Sequence, residues 1–173
     1  MMMKKERMDA MTYEIRNAGP EDLPRIEEVY AQARRFMAAN GNPSQWGDSY
    51  PPRQWLVDDI AQGNLFVVMD RAGIHGVFYF FIGADETYER IEDGQWHSDT
   101  PYGTIHRIAS DGSGGISRAA VEFCLKQIDH LRMDTHHDNL VMQNAAQRMG
   151  FQPCGTIYVP DGTARIAFEK CPK

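Results

Sequence analysis

The residues best placed to do chemistry lie in one run, Tyr102-Gly-Thr-Ile-His-Arg-Ile-Ala-Ser-Asp-Gly-Ser-Gly-Gly-Ile-Ser-Arg118. An extended, β-branched stretch meets three glycines (Gly112, Gly114, Gly115) and passes at once into a helical pattern. A strand, a glycine-rich loop and a helix start in succession make an anion site. The orphan N–H groups of the first turn and the positive end of the helix dipole converge there. Glycine allows positive φ and lets a ligand approach the backbone closely. The chemistry expected here is the holding of a phosphate-bearing cofactor.

A second group, His130, Asp134, His136, His137 and Asp138, gathers metal-ligating side chains on paper. If the strand from His130 runs on, alternation sends His136 and His137 to opposite faces, and no spacing matches a zinc pattern. A solvated strand end is the expectation, with no metal. Cys124, Cys154 and Cys171 are scattered, without metal or redox spacing, which suggests an intracellular, disulfide-free protein of the cytoplasm. The net charge of −6 argues against a nucleic-acid face. No apolar run approaches the roughly 18 residues a membrane span needs. The charged start, Met1 to Ala10, lacks the apolar segment of a signal peptide.

These residues must be positioned by a chain of 173 residues, long enough for one sizeable core. Residues 1 to about 11 read as a disordered leader, and 12–173 as a single domain. Tyr13 to Arg16 alternates like a strand. Gly19-Pro-Glu-Asp22 announces a helix carrying Leu23, Ile26, Val29, Tyr30 and Ala33 at helical spacing and stopping at Asn40-Gly41. A turn-rich loop over 42–52 leads to a second helix at about 53–62.

Two strands, 64–69 and 76–82, flank an Asp70-Arg-Ala-Gly73 turn as an antiparallel hairpin. An acidic insertion covers 83–102, with the key strand, loop and helix at about 103–128. A strand at 130–135, a short helix over 139–149 ended by Gly150-Phe151, and a hairpin across Pro160-Asp-Gly162 complete the chain. The order β-α-α-β-β-β-α-β-α-β-β predicts an α/β fold with a twisted mixed sheet and helices on both faces.

Three readings compete for the loop. A P-loop needs Gly-Lys-Ser/Thr; here the loop ends Gly-Ile-Ser-Arg118, with no lysine to reach a phosphate. A dinucleotide fold finds Gly112-x-Gly114-x-x-Ser117 and an acid, Asp134, about 20 residues on. Only 39 residues follow Asp134, however, too few for further βαβ units. An NAD(P)-binding oxidoreductase is the remote alternative. Third, the order of elements over roughly 13–170, together with the loop, resembles the GNAT acetyltransferase superfamily.

The family's Gln/Arg-x-x-Gly-x-Gly/Ala loop maps onto Gly112, Gly115 and Ser117, so the first position loses its side chain and the last is serine. Asn139 stands eleven residues before Gly150-Phe151, as in the family's second signature. Ala146 takes the place where many members carry a tyrosine that protonates the leaving thiolate.

The resemblance implies an acetyl-CoA-dependent N-acyltransferase acting on a primary amine of a small molecule or a protein, with acetyl-CoA as co-substrate and no metal. It implies that the backbone of Ile108, Ala109 and Ser110 pairs with pantetheine, and that Asn139 lies near that arm. The amides of Gly112, Gly114, Gly115, Ile116 and Ser117 would cradle pyrophosphate, with Arg118 assisting. The general base would be His106, close to where many members place a glutamate; an imidazole with an ordinary pKa of about 6.5 suits the task. Tyr158 would substitute for the missing acid. The acceptor would meet the first helices and their loop through Phe36, Gln45, Trp46 and Tyr50, beside Trp55 and Asp48. Those aromatics could equally pack the loop onto the sheet, and the acidic insertion is expected to be a solvated loop. The rival class is a non-catalytic CoA-binding regulatory module. A homodimer stays open.

Overall fold

The computed structural model describes residues 12–173; the leader lies outside the described residues. Seven strands, β1 (Glu14–Asn17), β2 (Leu65–Asp70), β3 (Gly73–Ile82), β4 (Gly103–Ser110), β5 (Leu131–Thr135), β6 (Gln152–Tyr158) and β7 (Ala164–Lys170), form one sheet in the order β1-β2-β3-β4-β5-β7-β6. Helices α1 (Leu23–Ala39) and α2 (Arg53–Gln62) cover one face, and α3 (Ile116–Leu125) and α4 (Leu140–Arg148) the other. The mixed α/β architecture is as expected. The predicted periodicity of α1 is met, since Leu23, Ile26, Val29, Tyr30 and Ala33 are its buried residues.

One core packs α1 and α2 on Leu65, Val67, Val77 and Ala109; the other packs α3 and α4 on Phe66, Phe78, Phe80, Ile105 and Met133. β2 and β3 bury residues on both faces because helices lie on both sides. Gly76 on β3 lets α3 close on the sheet: a Cβ there would collide with Ile116 Cγ2. Among the described residues no helix is long and apolar enough to cross a membrane.

Two features of the sheet create an opening. Among the described residues β4 and β5 are the only parallel pair, joined at Gly103–Leu131 and Thr104–Arg132 alone, and beyond these the strands part. β4 also bulges. Tyr79 pairs with His106 and Val77 with Ala109, so three steps along β4 oppose two along β3. Arg107, inside the bulge, has φ of 54°. One parallel pair among antiparallel neighbours is not the run of βαβ units that the dinucleotide alternative requires.

The insertion departs from expectation. Glu86, Glu89, Asp93 and Asp99 are exposed, but the segment is not a solvated loop throughout. A 3-10 turn at Glu86–Tyr88 buries Tyr88, which packs with Ile157 and Ala167 under Ile91, Trp96 and Tyr102. The Trp96 indole donates to the Tyr88 carbonyl (2.8 Å), and a bridge joins Glu92 to Thr156. The apolar residues spaced between the acids supply the driving force that the charge pattern obscured.

β5 stops at its expected end. It ends at Thr135, so strand alternation does not apply to His136 and His137, whose rings stack at 4.3 Å instead of pointing apart.

Candidate active site

His106 stands on β4 just before the bulge, where the sheet begins to open. Its Nε2 is 2.6 Å from Asp85 Oδ2, and its Nδ1 is 3.7 Å from Asp134 Oδ1. The Tyr88 hydroxyl donates to that same Asp134 oxygen (2.6 Å). Tyr79 stacks beside the imidazole at 6.0 Å. A histidine thus lies between two carboxylates, one from the insertion and one from β5. Asp134, the residue offered as a ribose-binding acid, is turned to His106 and Tyr88.

The electrostatics follow from the neighbours. Burial would raise Asp85, but hydrogen bonds from His106 and from the Thr87 hydroxyl and amide outweigh it and hold the carboxyl at about 2. Burial first, and then the Asp134 charge, push the Tyr88 hydroxyl well above its ordinary range, so it remains a donor.

Because Asp85 titrates below its ordinary 3.8, the unfolded chain takes up this proton first. The stabilisation is therefore complete above that value and is lost as pH falls towards 2. At about 1.4 kcal/mol per unit, the contribution is roughly 2 kcal/mol. Thermal unfolding followed from pH 5 down to 2 should show a shallower loss of Tm for Asp85→Asn than for the parent chain; parallel curves would mean the contact contributes nothing.

The β4–α3 loop is strapped from several sides. The Ser110 hydroxyl donates to the Ser113 carbonyl (2.9 Å) and accepts from the Gly112 amide (3.1 Å). The Tyr13 hydroxyl donates to the Gly114 carbonyl (2.7 Å). Gly115 begins α3 at φ 79°, which glycine adopts without strain. The amides of Ile116, Ser117 and Arg118 then have no carbonyl one turn behind them.

Asp111 brings a negative charge into this loop, and sequence reasoning passed over how it is met. Arg25 of α1 donates to it (2.9 Å), and His75 of β3 contacts it (2.8 Å) while its other nitrogen meets Asp70 (2.7 Å). Hydrogen bonds to Asp111 and then Asp70 raise His75, favouring its cationic form.

The Asp111 amide donates back to His75 on β3 (2.9 Å), so along the extended strand Ile108 and Ser110 turn their backbone groups to the β5 side, where the gap lies. Ala109, the residue between them, pairs with Val77 and is buried.

Across the gap, Asn139 caps α4, accepting from the Met142 amide (3.1 Å). Its amide donates to Gln45 Oε1 (3.3 Å), which also accepts from Asn42, Thr135 and the His136 amide. Gln45 therefore ties the α1–α2 loop to the end of β5. Trp46 and Tyr50 continue in an aromatic file, Tyr30–Trp46–Tyr50–Trp55, with spacings of 5.6, 6.2 and 5.6 Å. Phe36 is exposed.

No family model matches this chain, and no curated protein does. Solved structures do. A GNAT-family acetyltransferase from Streptococcus agalactiae superposes with a TM-score of 0.84 at 29% identity, over 93% of this chain and 96% of that one. The chain has the GNAT acetyltransferase fold. A putative acetyltransferase from Staphylococcus aureus (TM-score 0.67, 22% identity, 92% and 99% covered) and a ribosomal-protein-alanine N-acetyltransferase from Brucella melitensis (0.61, 16%, 91% and 98%) share it.

Within the GNAT fold His106, the gap-facing β4 edge and the glycine loop follow one another along one strand, and Asn139 starts the helix after β5. The structure does not bring Tyr158 to them. That residue lies on edge strand β6, its hydroxyl donating to Glu92 (3.0 Å) and its ring under Arg90 at 5.9 Å. β6 is three strands from β4, roughly 14 Å across the sheet. Ala146 is buried beneath the α4 side of the sheet and offers no donor. The sequence placed Asp85 only among the acids of a solvated insertion, and Tyr88 was missed. The alternation that buries Met133 and turns Asp134 to the other face was the available signal for Asp134.

Proposed function

We propose that this protein is an acetyl-CoA-dependent N-acyltransferase that acetylates a primary amine, with His106 as the base. The observation that carries the reading is His106 held between Asp85 and Asp134 where β4 and β5 part. Asp85 accepts the Nε2 proton and fixes the tautomer, so Nδ1 is the atom that takes a proton from the acceptor. Asp134, 3.7 Å from Nδ1, is the counter-charge once the ring is protonated. The two carboxylates also attract a substrate that arrives as an ammonium.

The fit to acetyl-CoA rests on backbone. Ile108 and Ser110 present groups to an extended arm, Asn139 stands opposite them, and the first amides of α3 meet the pyrophosphate. Ala109 contributes by holding the strand to β3, and Arg118 adds a nearby cation. Arg25 and His75 neutralise Asp111, removing the repulsion that this aspartate would offer a phosphate. With the amine deprotonated, its nitrogen bonds the acetyl carbon as the C–S bond breaks; the nitrogen sheds its second proton, and the sulfur leaves as thiolate and takes one up. Phe36, Gln45, Trp46 and Tyr50 border the acceptor's approach. With Tyr158 held at Glu92, the proton that His106 has taken up is the one returned to sulfur.

The buried Ala146 favours the second reading, a CoA-binding module without catalysis. Thermal unfolding with acetyl-CoA, CoA and NAD, coupled to a thiol-release assay over an amine panel, separates the two. A ligand bound only by the native state at a hundred times its Kd adds about 2.7 kcal/mol, a rise of roughly 5–11 °C in Tm for a chain of this size. Such a rise with acetyl-CoA and CoA, together with amine-dependent thiol release, is the expected result. A rise without release supports the second reading, and a rise with NAD alone would defeat both.

A further inference from the structure

Away from His106, and independent of the acetyl-transfer reading, three distant parts of the chain meet at Glu169 on β7. Glu169 is 1% exposed, and its two oxygens face different company. Oε2 accepts from Arg132 Nε (3.1 Å) and contacts His130 Nε2 (2.8 Å). Oε1 accepts from the His97 amide (2.8 Å) and has the Cys171 and Cys154 sulfurs at 3.3 and 3.9 Å. The His97 ring completes the group, its Nδ1 3.4 Å from Cys154 Sγ and 3.5 Å from Glu169 Oε1. With bonds of about 2.0 Å to nitrogen or oxygen and about 2.3 Å to sulfur, the corners of a zinc tetrahedron lie about 3.3–3.8 Å apart. The three separations among His97 Nδ1, Cys154 Sγ and Glu169 Oε1, 3.4, 3.5 and 3.9 Å, are close to those edges, and Cys171 Sγ stands 3.3 Å from the same Glu169 oxygen.

We propose that His97 Nδ1, Cys154 Sγ and Glu169 Oε1 form a binding site for a thiolate-preferring divalent cation, which the exposed Cys171 completes by rotating its Sγ from beside Glu169, with zinc the ion whose ligand types they match. The chemistry of the donors is consistent. Two thiolates and a carboxylate bring three negative charges to a dication, and Arg132 on the opposite carboxylate oxygen balances the remainder. A cysteine ligates a metal as its thiolate. Binding must therefore release both thiol protons to solvent, and affinity rises with pH.

The expectation of no metal rested on spacing along the chain. His97 stands 57 residues before Cys154, and only the packing of the insertion on the β6–β7 hairpin joins them. The site would fasten that insertion, which also carries Asp85 and Tyr88, to the sheet.

The test is a Co2+ titration of the reduced, chelator-stripped full chain. One equivalent should produce the visible bands of tetrahedral cobalt and a thiolate-to-cobalt charge-transfer band, both abolished by added Zn2+. Cys171→Ser and His97→Ala should each weaken Co2+ at least about tenfold, since loss of an outer-shell partner alone costs about 10–100-fold. Cys124→Ala, a buried thiol on the other side of the molecule, should leave the titration unchanged. Cys171 is exposed and lies beyond β7, so its variant tests the site without opening the core, and circular dichroism confirms the fold. No charge-transfer band in the reduced parent, a band that survives both substitutions, or cysteines that pair as a disulfide and bind no cobalt once reduced would overturn the proposal.

Discussion

Replacing His106 with alanine is expected to lower kcat for acetyl transfer by on the order of 10²- to 10⁴-fold, the usual span for a positioned general base, while leaving acetyl-CoA affinity within about twofold. The asymmetry follows from geometry. His106 is on the β4 strand ahead of the bulge, whereas the proposed cofactor contacts are backbone groups after it and amides at the α3 N-terminus. Asp85→Asn tests the same idea through a positioning residue. An asparagine amide can donate to Nε2, which moves the imidazole proton to Nδ1 and takes away the lone pair that faces the acceptor. Its kcat should fall towards that of His106→Ala, with acetyl-CoA binding intact. Steady-state kinetics with a fixed amine, and binding of acetyl-CoA by calorimetry, check both. A His106→Ala enzyme with unchanged kcat and an unchanged pH profile would remove the residue from the chemistry.

The parts of this architecture legible in the sequence were those with local causes. The apolar spacing of Leu23, Ile26, Val29 and Tyr30 wrote α1, and the β-branched and aromatic runs wrote β2 and β3. Gly112 to Gly115 marked the strand-to-helix junction because only a run of glycines serves such a turn. His106 could be singled out by its place on that strand.

What surrounds His106 could not. Asp85 comes from an insertion whose acids suggest solvent, and its partner lies 21 residues away across a fold contact. Asp134 was weighed for a cofactor ribose because its distance from the loop suited that motif; only the sheet order shows which way it points. The bulge at Arg107 carries no sequence mark at all, since arginine has no preference for positive φ. Tertiary pairing imposes it.

That bulge yields the largest expected stability effect. Asp59→Ala should destabilise the protein by about 3–5 kcal/mol, because it strands a buried cation rather than merely removing a contact. Arg107 is 10% exposed at its side chain and reaches Asp59 on α2, itself 12% exposed. The guanidinium lies over Tyr79 at 4.8 Å and Trp55 at 5.9 Å, and its Nε has no hydrogen-bond partner among the described residues. Without the carboxylate, only neutral groups, the faces of Tyr79 and Trp55 and the Tyr30 and Tyr50 hydroxyls, would compensate the charge.

Burial lifts the Asp59 carboxyl against the pull of Arg107, so burying the pair is itself costly. The double variant Asp59→Leu with Arg107→Leu should accordingly recover a large part of the loss. In a chain of this size each kcal/mol moves Tm by about 2–4 °C, which places the single variant roughly 6–20 °C below the parent. Urea unfolding gives the free energies directly. A single variant within about 1 kcal/mol of the parent would mean that water reaches Arg107. The same measurements bear on function, because the Tyr30 hydroxyl holds the Arg107 carbonyl (2.9 Å) and Arg107 follows His106 immediately. If the ion pair fixes the bulge, the double variant should regain stability without regaining the rate, since two leucines restore burial but not the backbone turn that aims His106 into the gap.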